Sequence, residues 1–87
     1  MKLAPYAEYI DEDDILYVRL RDAPIARTLN LGHWRNIDLD KDGRVVAAEF
    51  INVETAGIDL DGVPERDTIE HLIRAAGVQL PAGALRN

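Results

Sequence analysis

The chain has 87 residues, 47% of them hydrophobic, a formal net charge of −6 and no cysteine. A chain this short forms one domain and buries only roughly 60% of the surface that its unfolded form exposes, so a partner or self-association would stabilise its small core. The lack of cysteine excludes disulfides, thiolate zinc sites and cysteine nucleophiles, and the acidic balance disfavours direct nucleic-acid binding and favours a cation or a basic protein as partner.

The first half of the chain is predicted to form strands separated by short turns. Residues 15–20 are β-branched and aromatic and alternate between two faces, which predicts a strand. A short strand around residues 6–10 pairs with it across the acidic turn at residues 11–14. After a second turn, whose proline disfavours a helix, residues 25–31 and 34–39 are the third and fourth predicted strands.

Residues 40–43, Asp-Lys-Asp-Gly, are the strongest turn signal in the chain. An Asp-Gly step between two alternating apolar runs supplies the positive φ that a tight hairpin needs. Residues 44–51 are therefore predicted to return alongside the fourth strand as a fifth strand.

A helix is predicted after the strands. Pro64 suits the first position of a helix, and apolar residues recur at i, i+3, i+4 and i+7 from Ile69, which makes a single apolar stripe. Gly77 is a natural C-terminal stop. We therefore predict a connector at residues 53–63 and an amphipathic helix at about residues 64–76.

Together these elements predict one α+β domain over residues 1–78. Its sheet is an antiparallel β-meander of four or five strands at about residues 6–52, with the single C-terminal helix packed on it. Residues 79–87 are predicted to be a flexible tail.

Residues 38–49 also match the twelve-position calcium-binding loop of EF hands. Such a loop needs oxygen ligands at positions 1, 3, 5 and 12, a glycine at position 6 and an apolar residue at position 8. The flanking sequence does not fit an EF hand, because Val45 and Val46 favour extended structure and Gly32 would lie inside the entering helix. The matching residues are Asp38, Asp40, Asp42, Glu49, Gly43 and Val45.

A hairpin at residues 40–43 and a complete calcium site exclude each other. In the hairpin, Glu49 lies roughly 7–13 Å further along its strand than the residue opposite Asp38, whereas calcium ligands lie about 2.3–2.6 Å from the ion. We predict the hairpin, and with it no metal and no cofactor. Calcium bound by Asp38, Asp40, Asp42 and Glu49 is the alternative.

The sequence predicts no enzyme active site, and no catalytic or cofactor-binding residue is assigned. The chain has no serine, so a Ser-His-Asp arrangement is impossible. The carboxylates at residues 11–14 are typical of an exposed turn, and His33 is predicted to be structural or solvated. The tyrosines and Trp34 are predicted to pack within the sheet instead of forming a binding site.

Two motifs follow each other in a fixed order. Residues 14–20 read Asp-Ile-Leu-Tyr-Val-Arg-Leu, and residues 37–50 contain Asp-Lys-Asp-Gly, then Val-Val and Glu-Phe. Over about residues 6–53 they resemble a small bacterial family known as domain of unknown function 2283, with a departure at Ala47-Ala48, where glycine is common in the family. The resemblance implies a compact β-meander and supplies no catalytic residue. Members that lie beside small toxin genes make an antitoxin-like role a hypothesis.

We predict a non-enzymatic protein-interaction or regulatory module that binds a basic protein through its acidic turns. No run of roughly eighteen apolar residues is present, so we expect a soluble, cytoplasmic protein with no membrane or direct nucleic-acid partner. One helix covers only part of one sheet face, so a homodimer is expected to bury the other face. That face carries Ile15 and Tyr17 or Leu16 and Val18, according to the orientation of the sheet.

Overall fold

The computed structural model describes residues 3–85 and consists of a five-stranded antiparallel sheet followed by helices. The confirmed architecture is therefore α+β, an antiparallel sheet with a C-terminal helix, as the sequence predicts. The strands are β1 (Tyr6–Ile10), β2 (Ile15–Arg19), β3 (Arg27–Gly32), β4 (Arg35–Leu39) and β5 (Val45–Ile51). The helices are α1 (Val53–Ala56) and α2 (Arg66–Ala76).

The strand order is not that of a simple meander, because strands that follow each other in the chain are not always neighbours in the sheet. The order is β1-β2-β5-β4-β3, so β5 lies between β2 and β4, and residues 20–26 carry the chain past the start of β5 and the end of β4 to β3. β5 contains a continuous apolar run, which is typical of a buried strand in the middle of a sheet. All side chains of this run are fully buried: Val45, Val46, Ala47 and Ala48.

The predicted hairpin at residues 40–43 joins β4 to β5. The N–H of Asp40 donates to the carbonyl of Arg44 at 2.9 Å, and the Asp40 carboxylate accepts the N–H groups of Asp42 and Arg44, each at 2.9 Å. Gly43 takes the positive φ of 81° that the turn requires. These backbone hydrogen bonds hold the pKa of Asp40 below its ordinary value, chiefly through the Arg44 N–H.

Arg35 on β4 fastens the connector between the helices to the sheet. Its guanidinium is buried, with 7% of the residue exposed, and donates to the carbonyls of Gly32 at 3.1 Å, Leu31 at 3.2 Å and Asp59 at 3.2 Å, and also to that of Asp61. The carboxylate of Asp59 lies 3.9 Å away. A planar guanidinium with five donors can serve several carbonyls at once, which explains arginine at this position.

The C-terminal segment covers the core face of the sheet, where α2 packs against β1 and β2. Residues 79–87 were predicted to be a flexible tail, but the part that the structure describes is docked. The N–H of Ile58 donates to the carbonyl of Ala84 at 2.7 Å, Leu85 pairs with Ile58, and Ala84 is buried. The sequence did not predict this docking, because the pairing joins segments far apart in the chain.

α2 begins at Arg66, two residues later than the predicted start at residue 64. Glu65 adopts a left-handed backbone, with a φ of 57°, and its carboxylate accepts hydrogen bonds from the Arg21 guanidinium at 3.1 and 3.2 Å and from the Val45 N–H at 3.0 Å. The Arg21 hydrogen bond holds the pKa of Glu65 below its ordinary value. This carboxylate therefore ties the start of the helix to the start of β5.

Acid is expected to destabilise the fold through Glu65 and Asp40. Both pKa values are lowered in the folded state, from 4.5 and 3.8, so each carboxylate contributes stability above its unfolded pKa and loses it as the pH falls through the folded one. Thermal unfolding between about pH 2 and pH 7 checks this. The difference in thermal midpoint between wild type and Glu65→Gln should be largest at neutral pH and should shrink below about pH 4. A difference that does not change with pH would show that the Glu65 charge does not stabilise the fold.

Asp14 joins the first hairpin to the segment that follows β5. Its carboxylate accepts the Tyr9 hydroxyl at 2.6 Å and the Glu54 N–H at 3.0 Å, and its carbonyl accepts the Val53 N–H at 3.2 Å. The first of these bonds raises the pKa of Tyr9 to about 12. The aspartate that opens the first family motif thus has a structural role.

Asp14→Asn is expected to lower the free energy of unfolding by about 1–2 kcal/mol, because charged acceptors make the stronger hydrogen bonds. Asparagine tolerates the left-handed backbone at this position, where φ is 55°, so the substitution removes mainly the charge. Denaturant unfolding measures the loss, and spectrophotometric titration should return the pKa of Tyr9 towards 10. The exposed neighbour variant Asp13→Asn is the matched control, and an equal loss there would sink the assignment.

Within residues 3–85 no helix is both long and apolar enough to cross a membrane.

Candidate functional site

One end of the sheet brings together three segments that are distant in sequence. The N–H of Val53 bonds to the carbonyl of Asp14, which places the end of β5 beside the acidic turn at residues 11–14. The N–H of Ile51 bonds to the carbonyl of Trp34 at 2.8 Å, which places the β3–β4 turn next along the same edge. We call this region, comprising residues 11–14, 33–34, 54 and 59–61, the Trp34 end.

The β3–β4 turn has an unusual composition. His33 and Trp34 lie between the paired residues Gly32 and Arg35, and both have positive φ angles, 50° and 65°. Two-residue hairpins with positive φ at both positions favour Asn-Gly, because side chains with a Cβ are strained there by about 1–2 kcal/mol per residue. The turn therefore holds a large aromatic residue in a backbone that smaller residues prefer.

Trp34 is 56% exposed, whereas the sequence predicted that it packs within the sheet. The prediction was wrong because Trp34 lies in the turn and not in β4, which begins at Arg35. The sequence Gly32-His33-Trp34 between two apolar runs carried the available signal, since a glycine there favours a turn. The side chain is a large apolar surface held at the tip of a hairpin.

A cleft of about 600 Å³ opens beside this turn, a volume within the range of about 300–1,000 Å³ that is typical of ligand pockets. Its apolar wall comes from Ile58 and Trp34, and its polar wall comes from Asp59, Asp61 and Arg66. The N–H of Asp61 donates to the Asp59 carboxylate at 2.9 Å, so the backbone fixes one acidic side chain at the cleft. The cleft thus offers an aromatic surface next to two carboxylates and one guanidinium group.

The Trp34 end is strongly acidic. β5, which separates it from the second acidic turn at residues 40–43, spans roughly 20 Å at about 3.3 Å per residue. The two acidic turns predicted to bind a partner therefore lie at opposite ends of the sheet, and only the first belongs to this site. The exposed acids at the Trp34 end are Asp11, Glu12, Asp13, Glu54 and Asp61.

The sheet face that the helices leave uncovered is the one that carries Ile15 and Tyr17, since Leu16 and Val18 are fully buried in the core. This open face is polar. Arg19 donates to the Tyr17 hydroxyl at 3.1 Å, and Asn36 donates to the Glu49 carboxylate at 3.3 Å.

The polarity of the open face bears on the expected homodimer. Glu8, Asp38 and Glu49 share this face with Arg19, as the strand register shows. Burying several carboxylates beside one arginine carries a large desolvation penalty. A second copy is therefore better placed on another surface, and the homodimer stays a prediction.

The four residues of the calcium alternative are spread along the hairpin. Asp38 faces Ala47 and accepts the Thr28 hydroxyl at 2.6 Å, whereas Glu49 lies two residues beyond Ala47. The Asp40 carboxylate accepts hydrogen bonds from backbone N–H groups of its own turn, and Asp42 is exposed at the tip. Among residues 3–85 no three Asp, Glu or His side chains converge in a group able to hold a metal ion. Binding calcium with all four residues would require the hairpin to open.

Calcium at about 1 mM, the weak end of EF-hand affinities, is therefore expected to give no binding heat and no change in the thermal midpoint. Isothermal titration with parallel thermal unfolding measures both. A calcium-dependent rise in the midpoint that Glu49→Gln abolishes, and Asp22→Asn leaves intact, would contradict the hairpin.

Comparison with known proteins identifies a family for most of the sheet region. A family model described as "Protein of unknown function (DUF2283)" matches residues 7–53. The match spans nearly all of β1 to β5 and includes Asp14, Trp34 and Arg35, and it confirms the resemblance drawn from the two motifs. The connector, α2 and the C-terminal residues lie outside it. No curated protein and no solved structure matches the chain.

Proposed function

Because the chain belongs to the DUF2283 family, whose description names no activity, we propose a function from its surface: a non-enzymatic protein-interaction module. It binds a basic protein segment at the Trp34 end of the sheet. The observation that carries the proposal is the exposed Trp34, held by a strained turn beside a cleft that Asp59 and Asp61 border.

Strain at an exposed turn supports a role in binding. Backbone in sparsely populated regions persists where the surrounding structure holds it, and it clusters at functional sites. Tryptophan is also one of the residue types enriched among the side chains that dominate protein interfaces. A tryptophan kept at a strained hairpin tip therefore supports an anchoring role better than a packing role.

The negative charge around Trp34 favours a partner that carries positive charge. The exposed carboxylates of Asp11, Asp13 and Asp61 attract Lys and Arg, and acidic surfaces speed association with basic partners. The expected ligand is a basic segment that carries an apolar side chain, with the apolar group against Trp34 and the cations towards the acids. A small basic toxin has this chemistry, which is the antitoxin-like form of the proposal.

The single tryptophan makes the test direct. A peptide with arginines flanking one leucine should quench or blue-shift Trp34 emission, with an affinity that falls as salt rises. The same peptide with glutamates in place of arginines should have no effect. A Trp34 signal that does not respond to any basic peptide of this kind would overturn the proposal.

Two charge variants separate the site from general acidity. Asp61→Asn removes a charge beside Trp34, whereas Asp42→Asn removes an equal charge from the turn at the other end of the sheet. The proposal expects only Asp61→Asn to weaken peptide binding. Equal weakening by both variants would show that net charge alone attracts the peptide.

A further inference from the structure

The outer side of β3 is an open edge of the sheet. β3 pairs only with β4, and within residues 3–85 no other strand pairs with it. β1 at the opposite edge also pairs with one strand, but it carries Glu8 and α2 packs against it. An open edge presents unpaired backbone N–H and C=O groups, which form a template for another strand.

The charge of this edge also sets it apart. No acid occurs between Asp22 and Asp38, although the chain as a whole carries a net charge of −6. Arg27 is the charged residue of β3, and Ile25, just before the strand, is 48% exposed. β3 itself carries no acid, and the carboxylate beside its centre, that of Asp38 on β4, accepts the Thr28 hydroxyl at 2.6 Å.

We propose that two copies of the chain pair through β3, in antiparallel orientation, to form a continuous ten-stranded sheet. A β-bulge between Asn30 and Gly32 ends the regular edge, so the pairing is centred on Thr28. Arg27 of each copy then lies opposite Leu29 of the other, and the two arginines are diagonal neighbours about 7–8 Å apart. Two threonines face each other at the dyad, a favourable cross-strand pair.

This arrangement respects the two faces of the sheet. Thr28 and Asp38 share the open face, whereas Leu29 and Ile37 lie towards the core. With Thr28 at the dyad, each side chain meets one from the same face of the partner copy, so Leu29 of each copy meets Arg27 of the other on the core side. The Trp34 turn lies roughly 20 Å along the strand from the dyad and stays accessible.

The pairing is short, so the dimer is weak. An edge of this length buries less than the roughly 1,200 Å² that marks a stable interface. Association is expected at high micromolar concentration, with a mass in sedimentation equilibrium that rises with concentration and is insensitive to salt. A strictly monomeric protein over this range would overturn the proposal.

The absence of cysteine allows a site-specific test. Single cysteines placed at residues 26 to 30 should form disulfide dimers under mild oxidation fastest at Thr28→Cys, because residues facing each other across a dyad have Cα atoms about 4.5–5.5 Å apart. The rate of disulfide formation should be lower for cysteines on either side of residue 28. For each variant it should also fall as the protein is diluted. Glu8→Cys on β1, at the other edge, is the matched control.

Three outcomes decide between occupants of the edge. A rate maximum at Thr28→Cys supports the proposal, whereas uniform rates equal to that of Glu8→Cys overturn it. A disulfide that forms with a cysteine of an added protein, and not between two copies of this chain, assigns the edge to a different partner and also overturns the proposal. Thr28→Lys is a second variant that does not depend on oxidation: like charges at the dyad should abolish the dimer while leaving the circular dichroism of the monomer unchanged.

Discussion

Replacing Arg35 with leucine is expected to lower the free energy of unfolding by about 3 kcal/mol. The guanidinium donates to the carbonyls of Leu31, Gly32, Asp59 and Asp61, and leucine leaves them without these partners. For a domain of this size the loss corresponds to a fall of roughly 12–24 °C in the thermal midpoint. Calorimetry or denaturant unfolding measures the change.

Arg44→Leu is the matched control for this prediction. The side chain of Arg44 is 62% exposed and lies 3.5 Å from the Asp40 carboxylate, so removing it should change stability by less than about 1 kcal/mol. Arg35→Lys is expected to destabilise the protein by an amount between those of Arg35→Leu and Arg44→Leu, because an ammonium group cannot reproduce the planar fork of donors. If Arg35→Leu is no more destabilising than Arg44→Leu, Arg35 does not fasten the connector to the sheet.

Replacing Trp34 with glycine is expected to weaken binding of the basic peptide by about thirty-fold, the loss of about 2 kcal/mol that marks a dominant interface residue. Trp34→Ala should weaken it equally, because both variants remove the indole. Calorimetric titration measures both affinities without relying on tryptophan fluorescence. Retention of binding by either variant would show that Trp34 is not the anchor.

The two Trp34 variants should differ in stability. Alanine keeps a Cβ in a backbone with a φ of 65°, whereas glycine adopts that conformation without strain. Trp34→Gly is therefore expected to be more stable than Trp34→Ala by about 1 kcal/mol. Equal stability would mean that the turn does not hold its second residue in the left-handed conformation. The comparison separates the backbone effect from the loss of the indole, which is common to both variants.

Local patterns predicted the parts of the fold that depend on neighbours in sequence. Alternation at residues 15–20 gave β2, and the Asp-Gly step gave the β4–β5 hairpin, because turn chemistry and strand periodicity act within a few residues. The apolar stripe from Ile69 gave α2 for the same reason. The start of α2 was missed because Glu65 bonds to Arg21 and Val45, which lie far away in the chain.

Features that depend on distant pairing were not predictable from one sequence. The place of β5 between β2 and β4 and the docking of Ala84 beside Ile58 are both long-range. Arg35 shows the same limit: the sequence identifies an arginine near acids but does not show that four backbone carbonyls surround it. Trp34 is exposed because it lies in a turn of only two residues. If β4 began one residue earlier, Trp34 would be part of the strand and would pack within the sheet.

The open face and the Trp34 end differ in what they offer a basic partner. The open face has its polar groups bonded to each other, as with Asn36 and Glu49 or Thr28 and Asp38. The Trp34 end combines unburied aromatic surface with a cleft and exposed acids. This difference in composition favours binding at the end of the sheet over binding on its face.

Amide chemical-shift mapping of the labelled protein during titration with the arginine–leucine peptide tests the assignment of the binding surface most directly. We expect the signals of residues 11–14, 32–34 and 59–61 to move together and saturate, while those of residues 40–43 stay in place. Movement centred on residues 40–43 or on the open face, with Trp34 unaffected, would contradict it.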